Sequence, residues 1–169
     1  MKKLYLAFSS GDGLWDRVIK FVEKNLEHPT EAPRPLASHA YLIFGNEGRW
    51  TGIEASPPII RMWDIPTDPR VWDRRYIVPM TDTEFDVAFQ YALDQVGKGY
   101  RYLGQLIAGL YCLTRIPMFR PSRIRFICSE LCVNVLRNSN VIVLADIPSH
   151  DITPSNLETW ASSVLKQDY

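Results

Sequence analysis

Neither sign of charge dominates this 169-residue chain: Lys and Arg total 19, and Asp and Glu total 19. No bulk field therefore draws it to nucleic acid or to an acidic membrane surface. Cysteine is scarce. Three residues make an odd number without framework spacing, which argues against a disulfide scaffold and for a reducing compartment. Long apolar runs are missing as well; the longest, Leu106 to Leu113, cannot span a bilayer. At the start, Lys2-Lys3 leads into an apolar run that Ser9-Ser10-Gly11-Asp12 interrupts, too early for a secretory signal. A cytoplasmic location is expected, with delivery to a cell wall by another route left open. Internal repeats and low-complexity tracts are also absent.

What is present suits one soluble domain spanning 1–169. Apolar residues make up 46% and charged residues 22%, ordinary values for a globular protein of a size that buries a real core. Residues 3–8 read as a strand. Trp15, Val18, Ile19, Val22 and Leu26 follow at helical spacing, so a helix is expected over 13–26. Residues 27–37 hold Pro29, Pro33 and Pro35 and read as a loop. Strands are expected at 38–44, 49–55, 59–65 and 75–80 from their branched and aromatic content. Thr81 and Glu84 form a capping box ahead of a helix through Phe85, Phe89, Leu93 and Val96, closed by Gly97 and Gly99. An apolar helix over 103–114 carries Cys112, and a basic loop over 115–125 carries Arg115, Arg120, Arg123 and Arg125. Val141-Ile142-Val143-Leu144 reads as a last strand. Thr153 and Pro154 open a C-terminal helix. The fold class expected is α+β, an antiparallel sheet of about five strands packed on helices.

The chemistry concentrates at Ile127-Cys128-Ser129-Glu130-Leu131-Cys132-Val133. An apolar approach (Ile124, Phe126, Ile127) runs into a cysteine, and helical spacing begins there, with Leu131, Val135 and Leu136 on one side. Cys128 is thus expected at a helix N-terminus. Unpaired N–H groups and the positive end of the helix dipole there favour a thiolate, the nucleophilic form. A thiolate nucleophile needs a base near neutrality, and a carboxylate beside a histidine fixes its tautomer and stabilises the imidazolium. His39 lies on an expected strand whose return strand carries Glu54. A two-residue turn at 46–47 and a four-residue loop at 45–48 give the same register, and both set His39 opposite Glu54. An odd loop would turn Glu54 to the other face. Cys128, His39 and Glu54 form the most economical triad.

Ser38-His39-Ala40, Ile53-Glu54-Ala55, Gly97-Lys98-Gly99-Tyr100, Cys128-Ser129-Glu130-Leu131 and Ile152-Thr153-Pro154, in this order, resemble the circularly permuted papain-fold thiol hydrolases. These are the YiiX-type relatives of NlpC-type cell-wall peptidases and of lecithin retinol acyltransferase. The resemblance runs from the first strand to Pro154. It implies Cys128 as nucleophile, His39 as base and Glu54 as the orienting third member, on a permuted papain-like fold. Relatives often carry Tyr-Asp after the glycine-rich turn, where this chain has Tyr100-Arg101. The mechanism expected is thiolate attack on a carbonyl through an acyl-enzyme. The Cys128 N–H holds the oxyanion, with Tyr100 and Ser129 as further oxyanion or substrate candidates. No metal or organic cofactor is required. The substrates this implies are a peptide or isopeptide, a cell-wall peptide or a lipid ester; water as second substrate gives a hydrolase, an amine or alcohol a transferase.

Two other readings stand beside it. One is a catalytically inactive binding module on the same fold, with a Cys128 of ordinary reactivity. The other is a metal site from Cys128, Cys132 and one histidine, at a spacing that fits zinc poorly. His150 beside Asp151 is the reserve base. Cys112 and Cys132 read as core residues. The tryptophans Trp15, Trp50, Trp63, Trp72 and Trp160 read as core or rim, or as lining for a sugar or lipid groove.

Overall fold

The structure is a computed structural model that describes residues 2–10, 37–65, 74–100 and 125–168. The helix expected over 13–26, the proline-rich loop after it, the helix with Cys112, and the basic loop with Arg115, Arg120 and Arg123 lie outside these residues, as do Trp15 and Trp72.

Alternation builds the sheet. In strand β1, Lys3–Ser9, Leu4, Leu6 and Phe8 point to one face while Tyr5 and Ala7 point to the other, and all five are buried. A strand buried on both faces belongs in the middle of a sheet, and β1 sits between β2, His39–Asn46, and β5, Arg74–Val78. Strand β2 turns back into β3, Arg49–Ser56, through Glu47 and Gly48, both at positive φ (50° and 79°). That is the geometry of a tight two-residue turn matched to strand twist, and glycine meets the second position at no steric cost. Strand β4, Ile59–Asp64, extends the sheet outward. Three two-residue strands complete it: β6, Gly99–Tyr100; β7, Arg125–Phe126; and β8, Lys166–Gln167.

The order is β7-β6-β4-β3-β2-β1-β5-β8. Every neighbouring pair is antiparallel except β6–β7, which is parallel. The class is α+β as expected, with eight strands among the described residues rather than about five; the three extra ones are too short to leave a periodic signal. The strand expected at 141–144 does not form. Asn140 and Leu144 take positive φ, and the Arg137 guanidinium collects the carbonyls of Val143, Leu144 and Ile147. Those acceptors are therefore not offered to a ladder.

The larger core fills the face carrying Leu4, Leu6, Phe8, Leu42, Phe44 and Ile53. Helix α1, Asp82–Leu93, brings Phe85, Ala88 and Ala92 to it, and its capping box from Thr81 to Glu84 is present as expected. Helix α2, Cys128–Asn138, brings Leu131, Val135 and Leu136, all fully buried; each such side chain contributes roughly 2 kcal/mol. A single 3-10 turn, Ser149–Asp151, packs on α2. Helix α3, Pro154–Val164, follows with Thr153 as its cap and Pro154 in its first turn. On the opposite face a smaller cluster joins Tyr5, Tyr41, Ile43 and Ile65 to the half-buried Trp50 and Trp63. The Trp63 ring lies on Gly52, where a Cβ would come within 2.3 Å of it. No helix among the described residues is long and apolar enough to cross a membrane.

Candidate active site

The hairpin fixes the first two members of the site. Its ladder runs from Asn46↔Arg49 to Leu42↔Ile53, so the turn sits at 47–48 and the register is displaced by two residues from the expected one. Glu54 is therefore diagonal to His39 rather than directly opposite it. The displacement is even, so both side chains keep a common face. Beyond Leu42 and Ile53 the ladder between β2 and β3 stops. Each strand stays paired to its outer neighbour, β2 to β1 as far as His39 and β3 to β4 as far as Ser56. His39 and Glu54 meet across this seam, His39 Nε2 to Glu54 Oε2 at 2.5 Å. Tyr41 stacks on the imidazole, ring centroids 5.9 Å apart.

Helix α2 supplies the third member. Cys128 is its first residue, as the spacing predicts, and Ile127 is the N-cap. An isoleucine side chain cannot accept from the helix's orphan donors, and the Glu130 carboxylate instead reaches back to the Ile127 N–H at 3.4 Å. The helix packs on both β2 and β3, which carries the Cys128 thiol to the seam. There it hydrogen-bonds the His39 side chain, with the Ala40 and Ser129 backbone N–H groups also directed at the sulphur. Nε2 of His39 is engaged by Glu54, which leaves Nδ1 to face the sulphur.

The electrostatics of the three groups are reciprocal. Burial disfavours the charged forms of both Cys128 and His39, yet each overcomes it through the other. The charge and hydrogen bond of His39 bring the Cys128 thiol below its ordinary value. The charge and hydrogen bond of Cys128, followed by those of Glu54, push His39 up to about 10. Glu54 is lowered despite its burial, first by the hydrogen bond and charge of His39 and then by those of Arg61. All three shifts favour the charged forms: a thiolate and an imidazolium as a pair, with an ionised carboxylate behind them. Cys132, one turn further along α2, is pushed the other way by burial and by the charges of Cys128 and Glu54. It stays a neutral core thiol.

The remaining candidates are placed as follows. Tyr100 is buried on β6 and pairs with Phe126 on β7, two residues before Cys128. The Ser129 hydroxyl donates to the Ile152 carbonyl at 2.5 Å; it ties α2 to the chain before α3, and what it turns toward the sulphur is its backbone N–H. His150 lies 3.6 Å from Asp151 on the 3-10 turn, and it is His39, not His150, that meets Cys128. No group of three or more His, Cys, Asp or Glu side chains suited to a metal ion occurs among the described residues. Arg61 was not singled out by the sequence. It stands directly opposite Glu54 in the β3–β4 ladder, and its Nε donates to Glu54 Oε1 at 2.5 Å. Its only signal was register: an arginine on the strand after a strand carrying a buried glutamate. No family model matches the chain, and no curated protein matches it.

Proposed function

We propose that this protein is a thiol hydrolase that cleaves an amide or ester bond through an acyl-enzyme, on a permuted papain-like fold. The observation that carries the reading is the chain of contacts from the Cys128 thiol at a helix N-terminus, through His39, to Glu54 Oε2. A buried thiol, a partly exposed imidazole and a buried carboxylate in this order form a nucleophile, a general base and its orienter. The chain order, with the histidine strand early and the cysteine helix late, fits the permuted arrangement.

In this mechanism the thiolate attacks the carbonyl carbon and the carbonyl electrons move to oxygen. The oxyanion is held by N–H groups at the start of α2. Collapse expels the amine or alcohol, which takes its proton from His39 Nδ1. Neutral His39 then takes a proton from water as the water attacks the thioester. The acid leaves and the thiolate–imidazolium pair is restored. An amine or alcohol in place of water turns the same cycle into acyl transfer. Substrates that fit are a peptide, a cell-wall peptide or a lipid ester.

One observation favours the binding-module reading instead: Cys128 is fully buried. Site-resolved alkylation by iodoacetamide across pH separates the two. Catalysis expects Cys128 to react at pH 6–7, well below the free-thiol value of about 8.5, and to lose this in His39→Ala. A Cys128 that reacts no differently from Cys112 and Cys132, or that is unaffected by His39→Ala, overturns the catalytic reading.

A further inference from the structure

The carboxylate of Glu54 has two oxygens and the triad uses one. The other is occupied. Arg61 Nε donates to Oε1 at 2.5 Å, and Nη2 contacts the same atom. Glu54 is thus held from both sides, by His39 on β2 and by Arg61 on β4, at positions where its own burial opposes its charge. From α2, Cys132 lies within its field. Of these groups Arg61 alone is a permanent cation.

Arg61 is also built to stay where it is while remaining wet. Its side chain is 62% exposed, and its guanidinium carbon lies 5.9 Å from the centre of the Trp63 ring. The Trp63 ring in turn sits on Gly52, the one residue type at that position that leaves room for it. Glycine, tryptophan, arginine and glutamate therefore form a stack on one sheet face, ending at the histidine. A lysine would supply charge without the planar donor geometry.

We infer that Arg61 is a positioning residue for the thiol site: it acts through Glu54, keeping that carboxylate ionised and turned so that Oε2 faces His39. The inference rests on the thiol-hydrolase reading for its purpose, but not for its test. Without Arg61, burial protonates Glu54 at a higher pH. A neutral Glu54 supports the imidazolium less, so the proton shared by His39 and Cys128 moves toward sulphur.

The test compares pH profiles of Cys128 alkylation in wild type, Arg61→Met and Arg61→Lys, each also with Glu54→Gln. Arg61→Met is expected to move the acid limb up by about one pH unit, roughly a tenfold loss of thiolate on that limb, the small end of what an opposite charge does to a carboxylate. Arg61→Lys recovers part of this. With Glu54→Gln present, Arg61→Met has no further effect. An unmoved acid limb, or an equal shift in the Glu54→Gln background, overturns the inference. If wild-type Cys128 titrates as an ordinary thiol, the functional reading fails by itself. Arg61 is then judged by the carboxyl carbon-13 titration of Glu54, which must move up in Arg61→Met and otherwise refutes the role.

Discussion

Replacing Cys128 with alanine should change how stability depends on pH in a way that identifies the thiolate–imidazolium pair. Between the lowered Cys128 value and the raised His39 value of about 10, the folded pair holds one proton, on the imidazole. The unfolded chain holds two below pH 6.5, one between about 6.5 and 8.5, and none above. Stability rises with pH wherever the unfolded state binds more protons. The pair therefore makes the protein more stable as pH climbs to about 6.5, leaves it level to about 8.5, and destabilises it from there to about 10. In Cys128→Ala the main support for the His39 charge is gone, and its value falls toward the ordinary one. The wild-type advantage over the variant then grows with pH on the acid side, from the lowered Cys128 value up to about 6.5, and shrinks again toward the His39 value of about 10, each by on the order of 1 kcal/mol per pH unit. Urea unfolding of both proteins under reducing conditions at stepped pH measures this as a difference in midpoint at common slope. The alkaline fall alone proves nothing, because a neutral buried thiol also opposes the ionisation that the unfolded chain undergoes. The acid rise is the discriminating arm. A wild-type advantage that stays flat from pH 5 to 8 refutes the charged pair.

Three further outcomes follow from residues outside the site. Arg137→Met removes the donors of the Val143, Leu144 and Ile147 carbonyls; we expect a loss of about 2–3 kcal/mol and faster amide exchange across 141–148, and an unchanged exchange pattern there counts against the clamp. Arg75 is 3% exposed, its Nη1 has no hydrogen-bond partner among the described residues, and its ion-pair partner Asp168 is 35% exposed in its side chain. Arg75→Met is therefore expected to be neutral or stabilising by about 1 kcal/mol in chemical denaturation, and a loss above about 2 kcal/mol would show that the cation is satisfied in solution. Gly52→Ala pushes a methyl into the Trp63 ring; a loss of about 1–2 kcal/mol and a shifted tryptophan emission are expected, with unaltered emission arguing against the packing.

Sequence patterns found the fold where many residues repeat one signal. The five longer strands, the two capped helices and the helix at Cys128 each span enough positions for a period to be read. The two-residue strands have no period, and β8 exists because Leu165 ends α3 in extended conformation beside the open edge of β5. Residues 141–144 carried strand composition, but a side chain ten residues from Ile147, that of Arg137, competed for the same carbonyls. Propensity does not register a side-chain donor of this kind. Arg61 escaped for a related reason. An exposed arginine in a strand has a bland explanation, and only the β3–β4 register makes it the partner of Glu54.

The site was legible because its geometry depends on parity more than on register. The observed hairpin is displaced by two from the expected alignment, yet every side chain keeps its face, since the strand repeat is two. A displacement of one would have carried Glu54 away from His39 and left the histidine with no carboxylate. A displacement of two cost only directness: the pair became diagonal, about 7–8 Å between backbones in the general case, a gap that a glutamate and an imidazole bridge easily. The diagonal arrangement has its own consequence. The β2–β3 ladder stops at Leu42↔Ile53, and it is in the parted seam, not in a closed ladder, that Cys128 meets His39. Closing that seam should abolish the contact. Ala40→Val, which adds two methyl groups at a 1% exposed position beside the sulphur, is therefore expected to raise the pH at which Cys128 alkylates while leaving the hairpin folded, as judged by unchanged exchange protection of β2 and β3. Alkylation that keeps its wild-type pH profile in this variant would mean that the thiol does not depend on the seam.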